Sequence, residues 1–568
     1  MSSKRVSRIP PDQRRNPRAT RPPPSTIDEI GERLNPYDLT DLLTLSALFN
    51  VSDEPLQGKV PAARTLLVFA LRRLFLLAVL RSKAAEYKTQ RITARELDQR
   101  WTECMTVDGL HMPEERDTLF TLLLPLMANQ LRHQNITLAA RAQQVYGHLI
   151  ASAPQGKKYL DVDQVFADRY GLSLVDLLRF IILLEAWQLS CGEGVDQALH
   201  LNSQVERMEV WFALVEGGRP WRLQHLQFTA ERFTQALRIP RAVVDAALAC
   251  LSATVPELRA WQDSHMHLGL TDTPQTIPFA LDHRPLVRLK NGQYVLPEGS
   301  SLRIAVSHTL LTLLDAAIPA DKQDAYNNTR GKALETYLLH LFQDAFPPPA
   351  RVVSEREYWR TTRERIKGPD LLLLDPRDDR PILIEAKATR TRPTTAPDPT
   401  APRLKRNYGA AFEALHPDKA GRKISDLRAH LSEYKDVQTQ IDAASGRPLV
   451  IALVHDLPPR AGRLLGRHLR QYPADPLNNA SYDMLLMDLI ELEMAVHQAK
   501  TTGHSLRAIL ENEIQGVANE RCPETHVMSL DKLPEADPEI PLYCMRYPFL
   551  FEPWAVVEDE DPDPSSAE

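Results

Sequence analysis

Residues 367–390, KGPDLLLLDPRDDRPILIEAKATR, set an apolar run beside Asp370 and, after a polar turn, a second apolar run that ends in Glu385 and Lys387. Alternate side chains of a strand share a face. Leu383, Glu385 and Lys387 therefore point one way, and Ile382, Ile384 and Ala386 the other. One face turns from apolar to ionic at its end. An unpaired buried charge is too costly to persist, so these groups need a metal, a partner or water.

Carboxylates on neighbouring strands, Asp370 and Glu385, supply the oxygen ligands that a hard cation such as Mg²⁺ takes, with room left for waters. Lys387 is placed to orient or help deprotonate a water and to stabilise negative charge on a phosphate. That is the chemistry of phosphodiester hydrolysis. The plain alternative is a surface salt bridge at strand ends. The separate pieces are common: Glu-x-Lys recurs at Glu86 and Glu433, and Pro-Asp at Pro11, Pro397, Pro417 and Pro562. Only residues 369–387 join the two across a turn, each on an apolar run.

Two helical patterns flank these strands. On a 3.6-residue wheel Gly331, Leu334, Glu335, Leu338 and Phe342 fall on one side, so Glu335 lies within an apolar stripe. Leu427, Leu431, Tyr434, Gln438 and Ile441 share a face in the same way, which puts an amide in a stripe expected to pack on a sheet. Both helices aim a polar group toward the strand charges.

With these residues the chain resembles the PD-(D/E)xK, or restriction-endonuclease-like, nuclease superfamily. The match consists of RGKALETYL for the helical Glu, KGPDLLLLD for the Pro-Asp strand, ILIEAKA for the Glu-x-Lys strand, and the following helix with its Gln. The resemblance implies an α/β nuclease domain over 302–555, a mixed sheet flanked by helices. It implies that Asp370 and Glu385 ligate Mg²⁺ or Mn²⁺ with help from the Ala386 carbonyl. It implies that Lys387 serves the attacking water, and that Glu335 supports the metal through water or at a second site. Some members carry a Gln-x-x-x-Tyr pair after the Glu-x-Lys strand. That pair is absent in this form, so Gln438 is taken as its equivalent, with Gln440 the next choice. The implied activity is a metal-dependent endonuclease on DNA, with RNA as the other substrate. An inert nucleic-acid-binding or assembly subunit of the same fold is the competing class. By analogy with large bacterial proteins that join a helical front to such a nuclease, a phage-defence setting is expected.

The order of patterns around the motif agrees: helices near 302–318 and 329–345, a strand in RVVSEREYW, the two strands of the opening stretch, a helix near 424–444 and a strand PLVIALVHD. Alternating elements of this kind describe a mixed sheet flanked by helices. The loop TRTRPTTAPDPTAPRLKRN holds Arg390, Arg392, Arg403, Lys405 and Arg406, suited either to a solvated linker or to phosphate contacts.

Ahead of this domain, 27–270 carries apolar residues at three- and four-residue spacing and is expected to be all-helical, with a regulatory or recognition role. Lys290-Asn291-Gly292 between two short apolar runs signals a β-hairpin, expected as a linker over 271–301. The basic end 1–26 and the acidic end 556–568 read as disordered tails. At 568 residues the chain has length for two or three domains, and a net charge of -6 argues against a uniformly basic nucleic-acid coat. Five scattered cysteines without a Cys-x-x-Cys pair fit a reducing cytoplasm. The apolar stretch 65–80 is broken by Arg72 and Arg73, so no membrane span is expected. His265 and His267 lack ligand partners at usual spacing, and no GxxxxGK[ST] loop is present. The expected partners are nucleic acid, a second copy for paired cuts on a duplex, or a protein docking on the helical half.

Overall fold

Among the described residues, two mixed sheets organise the protein. The computed structural model describes residues 26–53, 73–104, 146–150, 158–190, 226–237, 239–265, 279–298, 301–302, 305, 309–355, 369–378, 380–388, 449–454 and 483–511.

Helix α1 (Ile27–Leu34) opens with a reciprocal cap. The Thr26 hydroxyl accepts from the Glu29 N–H at 3.1 Å, and the Thr26 N–H donates to the Glu29 carboxylate at 3.0 Å. Two donors without intrahelical partners are thereby satisfied. With α2 (Leu39–Asp53) and the helical residues 73–81, α1 builds a first core around Ile30, Leu34, Leu42, Phe75 and Leu77. Arg73, one of the charges that interrupt the apolar stretch, pairs with Asp282 at 2.8 Å and lies 4.9 Å from the Phe279 ring centroid. Among the described residues no helix is long and apolar enough to cross a membrane.

A second core gathers α3 (Val162–Tyr170), α4 (Leu174–Ser190), α5 (Arg241–Leu251) and, later in the chain, α7 (Leu310–Ala317). Helix α6 (Val255–His265) packs on the first core through Val255 and Leu258.

The expectation of an all-helical 27–270 is corrected. Strands β1 (Gln227–Phe228) and β2 (Ser252–Thr254) fall inside it. At two and three residues they are too short to show an alternating pattern. They join β3 (Leu286–Arg288) and β4 (Tyr294–Val295) in a four-stranded sheet of order β1-β4-β3-β2. The hairpin expected at Lys290–Gly292 is present: Val287 faces Val295 and Arg288 faces Tyr294, and Gly292 takes φ 80 in the turn. It is not a linker. Its strands pair with β2 in parallel and with β1 antiparallel, so it belongs to the N-terminal cores.

The second sheet has five strands in the order β5 (Arg351–Ser354), β6 (Leu371–Leu374), β7 (Ile382–Lys387), β8 (Leu449–Val454), β9 (Asp483–Asp488). Pairs β5–β6 and β6–β7 are antiparallel and pairs β7–β8 and β8–β9 parallel, so the expected mixed sheet is found. Two helices cover one face, α8 (Gln323–Ala345) and α9 (Leu489–Thr502). Leu371, Leu373, Ile382, Ile384, Leu449 and Ile451 meet Leu334, Leu338 and Phe342 of α8 and Leu492 and Val496 of α9. Burying each such side chain stabilises by about 1.5–3 kcal/mol. Strand β9 and helix α9 lie beyond the last strand read from the sequence. The helix expected at 424–444, the basic loop, and the expected tails apart from Thr26 fall outside the described residues.

Helix α8 starts six residues earlier than its apolar stripe suggested, and the extra turns tie the two halves of the chain together. Tyr326 and Ala333 are buried in the second core, whereas Leu334 through Ala345 belong to the core under the five-stranded sheet. Between them Thr329, 1% exposed, accepts from the Leu160 N–H at 2.9 Å. Thr329→Val should strand that buried N–H and cost about 1–3 kcal/mol in chemical denaturation, while Thr329→Ser should cost less than half as much. Equal losses would assign the cost to packing.

Candidate metal centre at the end of strands β6 and β7

Strand register brings the two acids together. Leu371 lies opposite Ile384 in the antiparallel ladder of β6 and β7, and continuing that register by one residue sets Asp370 opposite Glu385. Directly opposite residues share a face, with Cβ atoms about 4.5–5.5 Å apart. The Asp370 carboxylate also reaches across the strands, where its Oδ2 accepts from the Ala386 N–H at 2.7 Å. Lys387, two residues beyond Glu385 and so on its face, brings Nζ to 2.6 Å from Glu385 Oε1. The Glu385 side chain is buried at 9% exposure, whereas that of Lys387 is 29% exposed. The centre therefore has an acidic floor and a cationic rim that solvent reaches.

The turn between the strands is braced independently. Buried Asp375 accepts from the Arg377 guanidinium at 2.7–3.0 Å, and Arg377 Nη1 donates to the Gly503 carbonyl at 2.9 Å. That links the turn to the end of α9.

Glu335 is placed differently from the sequence expectation. Leu334 and Leu338 are buried, but the Glu335 side chain is 33% exposed and pairs with Lys332 Nζ at 2.8 Å. It sits at the rim of the apolar stripe instead of inside it. Its charge still acts on Asp370 and Lys387. Gln438, Arg390, Arg392, Arg403, Lys405 and Arg406 lie outside the described residues. His265 turns Nδ1 onto the Trp261 carbonyl of its own helix at 2.8 Å and stacks on the Trp261 ring.

Arg330 and Lys332 were not foreseen. Arg330 Nη2 donates to the Ala388 carbonyl at 2.7 Å, directly after β7. Side-chain patterning does not mark Arg330, whose partner is a backbone carbonyl, whereas Lys332 stands three residues before Glu335 at the spacing of a helical ion pair.

The electrostatics follow from burial first and from neighbouring charges second. Burial pushes the Asp370 carboxyl up to about 7 from its ordinary 3.8, and the neighbouring Glu385 charge adds to the effect. Lys387 and the Ala386 N–H pull the other way without cancelling it. For Lys387, burial works against the charge, but Glu385, Asp370 and Glu335 outweigh it and hold the amine above its ordinary value.

Among the described residues, no three His, Cys, Asp or Glu side chains form a ready-made cation cage. The donor set present is two strand carboxylates with one more acid at the rim. It fits a divalent ion that keeps several waters, as Mg²⁺ does.

Compared with protein-family models, with curated proteins and with solved structures, the chain finds no match.

The titration of Asp370 has a measurable sign. A carboxyl raised from 3.8 to about 7 favours the folded state when protonated. That contribution is fully present below pH 3.8 and is lost as the pH rises through about 7. In metal-free protein Asp370→Asn, which imitates the neutral acid, should raise the unfolding midpoint at pH 8 by roughly 2–6 °C. The gain should be smaller at pH 5. Millimolar Mg²⁺ should raise the midpoint of the parent at pH 8 and leave that of the variant unchanged. A variant less stable than the parent at both pH values would show that the charged acid is satisfied without a cation.

Proposed function

We propose that the chain is a metal-dependent phosphodiesterase of the PD-(D/E)xK type, acting as an endonuclease on DNA. The observation that supports this best is the cross-strand pair Asp370–Glu385 with Lys387 on the same face, where burial and the neighbouring Glu385 charge raise the Asp370 carboxyl.

Asp370 and Glu385, with the Ala386 carbonyl, are the groups that would hold Mg²⁺ or Mn²⁺. When bound, the ion supplies Lewis-acid polarisation of a phosphoryl oxygen. The protein's own groups account for the remaining needs. The Ala386 N–H bond fixes the Asp370 carboxylate in advance, so little side-chain freedom is left to lose when an ion arrives. Lys387 is kept charged by its acidic neighbours, which suits it to orient the attacking water and meet developing negative charge. A permanently protonated amine is a poor base, so proton removal falls to another acceptor. Glu335, at the rim and held by Lys332, is positioned to help through water.

DNA is preferred over RNA by resemblance, and the same groups would serve either backbone. In this reading the N-terminal half targets or regulates the nuclease and supplies no catalytic group. A role as effector in phage defence fits that division and stands on analogy alone.

The test is incubation of the full chain with plasmid, linear single-stranded DNA and structured RNA, each with Mg²⁺, Mn²⁺ or EDTA. Cleavage of DNA that EDTA stops is the expected result. Asp370→Ala, Glu385→Ala and Lys387→Ala should each lower the rate by about 100-fold or more with the fold intact. Cutting by Lys387→Ala at the parent rate would remove the centre from this place, and cutting of RNA alone would reassign the substrate. Binding without cutting under every condition would favour an inert subunit.

A further inference from the structure

The ladder between β7 and β8 ends at the pair Lys387 and Val454, so the Ala388 carbonyl lies past the last strand partner. Arg330 meets that carbonyl at 2.7 Å from α8. The same guanidinium has its central carbon 5.5 Å from the ring centroid of Tyr326, a fully buried residue of the second core. One residue before Arg330, Thr329 is bonded to Leu160 in that same core. Arg330 is therefore anchored on the N-terminal side and acts on the C-terminal side. Its target is the residue after Lys387. Frayed strand ends open with little free energy, and the direction of the Lys387 side chain depends on the backbone of this end.

We propose that Arg330 is a positioning residue for the candidate metal centre: it pins the end of β7 through the Ala388 carbonyl and ties the geometry of Glu385 and Lys387 to the N-terminal core. The proposal rests on the metal-centre reading of Asp370 and Glu385. A planar guanidinium suits the task, because it can face an aromatic ring while one edge donates to a carbonyl. Residues that orient metal ligands from outside the ligand shell typically change affinity by about 10- to 100-fold when replaced.

The experiment uses the full chain and the variants Arg330→Gln, Arg330→Lys and Asp370→Asn. Mn²⁺ affinity is measured by calorimetry, and amide hydrogen exchange is followed by mass spectrometry on peptides covering 382–388 and 449–454. Arg330→Gln should weaken Mn²⁺ binding about tenfold and speed exchange in 382–388 without changing 449–454. Arg330→Lys, which keeps a cationic donor, should recover most of the exchange protection. A merely structural arginine would instead speed exchange in both segments together, and that result overturns the proposal. So does Asp370-dependent Mn²⁺ binding that Arg330→Gln leaves unchanged. Equal Mn²⁺ binding by parent and Asp370→Asn overturns the metal-centre reading itself, and this proposal with it.

Discussion

The register of β6 against β7 decides which charges share a face, and the candidate centre depends on it. A slip of one residue would send Asp370 to the side occupied by α8 and α9, away from Glu385. Two features hold the register. Leu371 and Leu373 are buried opposite Ile384 and Ile382 in the core beneath the sheet, so slippage would trade apolar side chains for charge. At the other end of the strands, the Asp375–Arg377 pair and its bond to Gly503 fix the turn to the end of α9. A charge-assisted, bidentate contact at a buried carboxylate is costly to break, because the acid left behind would be unpaired.

Helix α8 is the second constraint, since it serves two cores at once. Its first turns place Tyr326 and Thr329 among residues of the N-terminal half, and its later turns pack Leu338 and Phe342 under the five-stranded sheet. Arg330, Lys332 and Glu335 occupy the stretch between, beside the end of β7. A shift of this helix along the sheet moves a rim carboxylate and a strand anchor together. The boundary between the halves thus runs through a continuous helix, not through the hairpin at Lys290–Gly292, whose strands are stitched into the N-terminal sheet.

What the sequence made legible follows from pattern length. Strands β6 and β7 carry the apolar runs Leu371–Leu374 and Ile382–Ile384 with a polar turn between them, and Asp370, Glu385 and Lys387 stand at positions whose faces are set by period two alone. The hairpin was legible because an Asn-Gly turn needs a specific backbone conformation, which Gly292 adopts. Strands β1 and β2 were not, since two or three residues fit any local pattern, and their pairing partners lie tens of residues away. The Glu335 stripe was read correctly as apolar but one step too wide. A helix wheel gives angle and not depth, and a carboxylate at the stripe's margin bends to the rim, where Lys332 meets it. Arg330 escaped notice because its partner is a backbone carbonyl, which leaves no mark in side-chain patterning.

The charge balance of the centre explains why such a cluster can persist and still be of use. Three acids, Glu335, Asp370 and Glu385, stand against three cations, Arg330, Lys332 and Lys387. With every group ionised the charges balance, while burial and then the Glu385 charge raise the Asp370 carboxyl above its ordinary value. The resting cluster is then close to neutral, which limits the cost of burying it. A divalent cation added to it would leave the cluster with two positive charges in excess. A site of that sign attracts a phosphodiester, whereas the resting site does not. On the proposed function, ion binding would therefore both complete the ligand set and switch the local field from indifferent to attractive, with Lys387 at the solvent-facing rim as the first charge the substrate meets.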